Sequence, residues 1–295
     1  MKSPYFSIVI PTYNRADFIG KTISSLLNQT FQDFEIIVVD NDSTDNTESL
    51  VKSITDHRIS YYKKENKRQA VARNYGAQRA TGEFINFFDS DDLAYPDHLQ
   101  YAYDFIQKTP NISVFHQNYD EKDPEGNFAG TPTKINNINL QLLDGNLLAV
   151  TGVFIKKDVA RKHPFCENQQ LIGSEDYFLW LQLASRYTIY NNPVISTTYI
   201  HHQNNSIKNF SKESLIDRKK LMLELLKKDP KFNRYVGKHF DKLEASTYMY
   251  VALHLLLGNE KKGSIRYVIN ALKKRPLFIT SRRFFVILLY LFNLK

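Results

Sequence analysis

Phe84-Ile-Asn-Phe-Phe88 runs straight into Asp89-Ser-Asp-Asp92, an apolar stretch that ends in a cluster of carboxylates. So short a run, bounded by Gly82 on one side and an acidic turn on the other, reads as a buried strand. The same pattern stands twice upstream. Phe6–Ile10 leads into Pro11-Thr-Tyr-Asn-Arg15, and the β-branched run Phe34–Val39 leads into Asp40-Asn-Asp-Ser-Thr-Asp45. Between them Ala16–Asn28 has helical spacing, with Phe18, Ile19, Ile23, Leu26 and Leu27 on one side. Ser43–Thr47 offers N-caps for a helix through Ile54, Ile59–Tyr62 reads as a strand, and Gln69–Arg79 as a helix. Strand and helix alternating at this interval predict right-handed βαβ units on a mostly parallel sheet. Ligands of such sheets bind beyond the carboxyl ends of the strands. The three polar segments are therefore expected to converge on one edge.

Further along, 111–118 and 150–156 supply two more strands, Glu175–Ser185 a helix, and Val194–His201 a last strand. The polar stretch Asp120–Asn139 reads as a loop. From Ser211 the pattern becomes helix after helix. Leu215, Met222, Leu225 and Leu226 mark one apolar face, and Tyr248, Leu253, Leu255 and Leu256 a second. Ser264–Leu272 and Arg282–Leu294 follow. The expected division is a catalytic domain over 1–206 and a basic helical region over 207–295. The first is expected to fall into parts of about 1–110 and about 111–206.

Composition narrows the classes. The chain has 295 residues, 42% hydrophobic and 24% charged, which excludes disordered and fibrous proteins. Its single cysteine, Cys166, excludes a disulfide framework and a cysteine-built metal site. The first apolar run is too short for a signal-peptide core, and no run approaches the ~20 residues of a membrane-spanning helix. A soluble, cytoplasmic protein is expected. Residues 207–295 hold 20 Lys and Arg against 7 Asp and Glu, a net +13, whereas 1–206 carry −5. Basic tails of this kind meet nucleic acid, an anionic membrane surface or simply water.

Three carboxylates within four residues repel one another unless a cation or many donors hold them. Hard oxygen ligands suit Mg²⁺ or Mn²⁺, which take the rest of their shell from water and substrate phosphates. The plainer reading is an acidic turn capping a helix near Pro96. Asp40, Asp42 and Glu48 lack the spacing and glycine of an EF-hand, and Walker A, GxGxxG and GxSxG sequences are absent.

Five segments in order carry a resemblance. They are Ser7-Ile-Val-Ile-Pro-Thr-Tyr-Asn-Arg15, Ile36-Ile-Val-Val-Asp-Asn-Asp-Ser-Thr-Asp45, Ala72-Arg-Asn74, Gly82 to Asp92, and Ser174-Glu-Asp-Tyr-Phe-Leu-Trp-Leu181. Together, over roughly residues 5 to 206, they resemble a family 2 glycosyltransferase of the inverting kind. The resemblance implies the α/β GT-A fold, a Rossmann-like sheet flanked by helices, here with an α-helical C-terminal extension. It implies that Pro11, Thr12 and Tyr13 line the uracil and ribose pocket, with Tyr13 stacked on the base. Asp40 and Asn41 would read the uracil ring, and Arg73 would approach the phosphates or shape their pocket. Asp89 and Ser90 would lie near the ribose, with Asp91 and Asp89 of the DxD element on a Mn²⁺ or Mg²⁺ ion. Asp176, beside Glu175, matches the general base, and His202 matches a histidine near the metal. Both have plainer readings: an acidic helix N-terminus suits the helix dipole, and a lone histidine is often structural.

The implied chemistry is coherent. A divalent ion offsets the charge of a diphosphate leaving group, while one carboxylate takes the acceptor hydroxyl's proton from the opposite face. Departures from the family pattern are Asn41 where Asp is common, Asn66-Lys-Arg68 in place of Asn-x-Gly, Phe165-Cys-Glu167 in place of Phe-Asp-Glu, and Ile200 in place of Arg. The expected activity moves a sugar from a UDP-sugar to a saccharide or lipid-linked saccharide in surface polysaccharide synthesis. Two alternatives are an inactive binding scaffold of the same fold and a basic nucleic-acid-binding protein. The latter lacks a recognition motif and interleaved aromatics, so no nucleic-acid partner is expected. The basic, aromatic-rich end from Lys273 onward suits an interfacial helix on an anionic membrane, or a helix packed on the protein. No feature of the sequence speaks to oligomeric state.

Overall fold

The computed structural model describes residues 3–65, 68–123, 125–131, 135–202 and 211–292. In chain order the first half contains β1 (Phe6–Thr12), α1 (Ala16–Leu27), β2 (Phe34–Asp40), α2 (Thr47–Ser53), β3 (Ile59–Lys63), α3 (Gln69–Arg79) and β4 (Phe84–Phe87). Then come β5 (Leu93–Ala94), α4 (His98–Lys108), β6 (Val114–Lys122), β7 (Phe128–Gly130), α5 (Ile138–Gln141), β8 (Val153–Lys156), α6 (Lys157–Lys162), α7 (Glu175–Ala184) and β9 (Ile189–Ile200). Five helices close the chain: α8 (Lys212–Lys227), α9 (Pro230–Val236), α10 (Phe240–Leu257), α11 (Lys261–Lys274) and α12 (Arg282–Leu291).

The strands form one sheet in the order β3-β2-β1-β4-β8-β6-β9-β5, with β7 added to β6. Its first half is parallel as expected, with β1 between β2 and β4. The second half departs from that expectation. β8 runs antiparallel to both β4 and β6, and β5 to β9, so only β6 and β9 pair in parallel there. Before β8 the chain supplies loops and short helical turns rather than the long crossover helix that a parallel return requires. The stretch Asp120–Asn139 is not all loop either: it holds the end of β6, all of β7 and the start of α5. Asn66 and Lys67, Gln203 to Ser206, and the last residues of the final predicted helix lie outside the described residues.

Both faces of the sheet are covered, which is why β1, β2 and β4 are apolar almost throughout. On one face Phe6, Ile8, Ile10, Ile36 and Val38 pack with Ile19, Ile23 and Leu26 of α1 and Leu99 of α4. On the other, Val9, Ile37 and Ile85 pack with α3, α7 and Trp180. Met222, Leu223 and Leu226 of α8 and Phe232 of α9 join this second cluster. A third cluster lies among α10, α11 and α12, centred on Met249, Ala252, Ala271 and Ile287. The close approach of α3 to β1 requires a glycine: a Cβ on Gly76 would stand 2.3 Å from Val9 Cγ1. This contact presses the N-terminal turns of α3, and the side chains they carry, towards the carboxyl edge of β1 and β4.

Candidate active site

Three strand ends meet at that edge. The loops after β1 and β2 are fastened to each other: Asn14 N–H donates to Ser43 Oγ (2.9 Å), Thr44 N–H to Asn14 Oδ1 (2.9 Å) and Arg15 N–H to Thr47 Oγ1 (2.9 Å). Asn14 and Asp42 hold left-handed backbone with φ of 49° and 70°, a conformation these residue types tolerate. Much of the polarity read from Asp40–Asp45 is thus spent on building the rim. Asp40 is fully buried: Oδ1 accepts Ser43 N–H (2.8 Å) and Oδ2 accepts the Tyr61 hydroxyl (2.6 Å). It supports the cleft from behind and does not line it.

The cleft has a volume of about 310 Å³. Pro11, Thr12 and Tyr13 form its β1 side, Asn41 its β2 side, and Asp89, Ser90 and Asp91 its β4 side. Glu175 and Asp176 close it from the start of α7, and Arg73 from α3. Of the predicted residues, then, only Asp40 and His202 stand off its wall. Tyr13 is 36% exposed. Thr12 Oγ1, Asn41 Oδ1 and Arg73 Nε are buried and accept or donate no hydrogen bond among the described residues. Buried polar atoms left without partners mark where a ligand would supply them.

The carboxylates are sorted by cations. Arg73 is 2% exposed, and its guanidinium lies 2.7 Å from Asp89 Oδ1 and 3.4 Å from Glu175 Oε1. Gln69 Nε2 donates to the same Asp89 oxygen (3.1 Å). Asp91 Oδ2 meets Arg15 Nε (3.2 Å) and His202 Nε2 (3.0 Å), and the His202 ring stacks on Phe18. Asp92 is buried and accepts Ile200 N–H (3.2 Å); burial, with Asp89 and Asp91 beside it, pushes its carboxyl well above the usual range. Burial likewise raises Glu175, with Arg73 opposing and Asp176 adding to the rise. Glu175 has both oxygens engaged, since Oε2 accepts Gly173 N–H (2.6 Å). Asp176 lines the cleft, is half-buried and, among the described residues, holds one side-chain bond, Oδ2 from Asn146 Nδ2 (2.9 Å).

Among the described residues no group of three or more His, Cys, Asp and Glu is gathered to hold an ion on its own. The expected trio is divided: Asp89 faces Arg73, while Asp91 and His202 form a pair. That pair still suits Mn²⁺ or Mg²⁺. A carboxylate oxygen and an imidazole nitrogen 3.0 Å apart match the spacing of neighbouring ligands on an octahedral ion with bonds of ~2.1 Å.

Arg15 and Gln69 were not singled out in the sequence. Gln69 had a signal, standing four residues before Arg73 and so on the same face of α3. Arg15 lay within a segment read as functional, but no pattern distinguished it from its neighbours.

The comparisons with known proteins bear on family and fold. The glycosyl transferase family 2 model matches residues 7–157. An uncharacterized glycosyltransferase of Rickettsia bellii is 33% identical over 190 residues, covering 61% of this chain and 26% of that protein. The chain thus spans about a quarter to a third of the length of this relative and of those of Rickettsia conorii and Rickettsia felis. The Escherichia coli UDP-Glc:alpha-D-GlcNAc-diphosphoundecaprenol beta-1,3-glucosyltransferase WfgD is 35% identical over 181 residues, 60% of this chain and 68% of that one. Among solved structures, Staphylococcus aureus TarS 1–349 in complex with UDP-GlcNAc has a TM-score of 0.62 at 17% identity, covering 92% of each chain. The mannosyltransferase PcManGT of Pyrobaculum calidifontis, with GDP-Man and Mn²⁺, has a TM-score of 0.61 at 19% identity, covering 99% of this chain and 86% of that one. At such identities the likeness establishes the fold, which is GT-A.

Proposed function

The chain belongs to glycosyl transferase family 2, and we propose that it moves a sugar with inversion from a UDP-sugar to a saccharide hydroxyl on a lipid-linked acceptor. The observation that carries this reading is the position of Asp176. This residue lines the cleft that holds Asp89, Ser90 and Asp91, and it also lines a second pocket, between the start of α7 and the helices α8, α10 and α12. A donor in the first and an acceptor in the second would meet at this carboxylate. Asp176 then takes the acceptor hydroxyl's proton as the new bond to the anomeric carbon forms, a contribution of ~10²–10⁴ in rate. Glu175, held by Arg73 and the Gly173 amide, positions the start of α7 rather than the proton.

For the donor, Tyr13 stacks on the base, Thr12 and Asn41 satisfy their orphaned atoms on the nucleoside, and Asp89 and Ser90 take the ribose side. Asp91 and His202 would hold Mn²⁺ or Mg²⁺, which when bound offsets the charge of the departing diphosphate. The UDP assignment is supported by the name of WfgD and by the UDP-GlcNAc complex of TarS. The lipid-linked acceptor is supported by WfgD and by the Campylobacter jejuni GalNAc(5)-diNAcBac-PP-undecaprenol beta-1,3-glucosyltransferase, 42% identical over 93 residues, 30% of each chain. In this reading about 1–110 serve the nucleotide, and 111–206 with the basic helices serve the acceptor, at the inner face of a membrane.

The test is release of UDP from UDP-glucose, UDP-galactose and their N-acetylated forms, with a GlcNAc-diphospholipid as acceptor. Acceptor-dependent release with one donor is expected, falling at least about 100-fold in Asp176→Asn while UDP affinity stays within about twofold. Binding of UDP without release from any donor would favour the inactive scaffold. Near-full activity of Asp176→Asn would remove the base from its role.

A further inference from the structure

The second pocket is built from the C-terminal helices and differs in character from the donor cleft. Its volume is about 280 Å³, and Arg218 and Lys219 of α8, Tyr250 of α10 and Arg283 of α12 surround it, with Asp176 at the shared wall. Three cations thus face one carboxylate. Lys219 is buried, its ammonium donating to Ser174 Oγ (2.9 Å) and lying 4.8 Å from the Tyr250 ring centre. Arg283 Nη1 donates to the Asp144 carbonyl (3.1 Å) and to the Ser246 carbonyl and Oγ (both 3.3 Å). No carboxylate lies within 4.0 Å of Lys219 or Arg283 among the described residues, although Lys212 and Lys227 of α8 carry ion pairs.

Gathering Lys219 and Arg283 in a partly dry pocket, held by carbonyls and hydroxyls rather than by carboxylates among the described residues, is costly unless an anion completes the site. Burial and the neighbouring Arg218 bring Lys219 down to about 8, so it is still largely charged at neutral pH. Guanidinium forks match phosphoryl oxygens better than a single point charge does.

We propose that this pocket binds a phosphoryl group of the acceptor, a phosphate or diphosphate attached to its sugar, and so sets the acceptor hydroxyl against Asp176. The proposal rests on the reading of the donor cleft above. It gives a task to the basic charge of 207–295, for which the sequence offered nucleic acid, an anionic membrane or water: α8 and α12 supply the acceptor's electrostatic clamp.

The probe is phenyl phosphate, titrated by calorimetry into the full chain already saturated with UDP and Mg²⁺, with glucuronate as the carboxylate comparison. Phenyl phosphate is expected to bind with UDP in place and more tightly than glucuronate. Arg283→Gln and Lys219→Met should each weaken it at least about tenfold, the loss expected of one charge-assisted hydrogen bond. UDP affinity should stay within about twofold in both. Arg283→Lys, which keeps the charge and loses the fork, should bind between the wild type and Arg283→Gln and guards against a folding defect. Competition between UDP and phenyl phosphate, equal binding by the variants, or a preference for glucuronate would each overturn the proposal. Failure of the wild type to bind UDP would instead count against the donor reading, and the variants would still be read with phenyl phosphate alone.

Discussion

Arg73 shows how one side chain organises the site. Its guanidinium, almost fully buried, lies between Asp89 at the end of β4 and Glu175 at the start of α7, residues far apart in sequence. Removing it strands two carboxylates, a change that costs about 3–5 kcal/mol in buried pairs. Because Glu175 is already raised by burial, it can take up a proton instead, so the lower end applies. Arg73→Met should lose about 3 kcal/mol of stability in urea unfolding at pH 7; a loss below about 1 kcal/mol would mean that the pairing does not organise the site. The residue was legible in the sequence as part of Ala72-Arg-Asn74, but its partners were not. A motif gives the residue type at a position, whereas the distribution of Arg15 and Arg73 over Asp89, Asp91 and Glu175 is settled only when the strand ends are brought together. For the same reason Asp40, equally prominent in the sequence, is a buried support rather than a wall of the cleft.

Elements were read from the sequence best where one periodicity dominated. β1, β2 and α3 stand almost where their patterns placed them, because strands buried on both faces and a helix with a short, clear face leave little choice. The antiparallel return of β8 was not legible, since strand direction depends on the connection rather than on the strand's own residues. The contact of α3 with β1 is testable at this scale. Gly76→Ala gains about 1 kcal/mol in helix propensity, but overpacking against Val9, where the new Cβ would stand 2.3 Å from Cγ1, costs about 1–3 kcal/mol. So short a contact puts the cost at its upper end, and a net loss of about 2 kcal/mol is expected, partly relieved when Val9→Ala is added. An unchanged melting temperature in the single variant would contradict the tight seating of α3.

At the scale of the whole molecule, α12 packs on the protein and leaves a second face open. Phe284 and Ile287 are buried in the third cluster, while Phe285 and Phe292 are 55% and 68% exposed, with Leu289 between them. Leu277 and Ile279 are exposed just before it, beside Lys273, Lys274, Arg275 and Arg282. No helix of the described residues is long and apolar enough to cross a membrane. An apolar strip rimmed by basic residues suits the surface of an anionic bilayer. The full chain should therefore sediment with anionic vesicles in a salt-sensitive way, and Phe285→Glu with Leu289→Glu should weaken this about tenfold without lowering the melting temperature. Equal binding by the double variant would remove α12 from that role.

The central claim is that the cleft beyond β1, β2 and β4 binds the nucleotide of a sugar donor with a divalent ion. Calorimetric titration of UDP, with GDP alongside, in Mn²⁺ and again after chelation tests it most directly. Binding of UDP that is stronger than that of GDP, and that falls at least about tenfold without the metal or in Asp91→Ala, is the predicted result. Absence of nucleotide binding under every metal condition would contradict it.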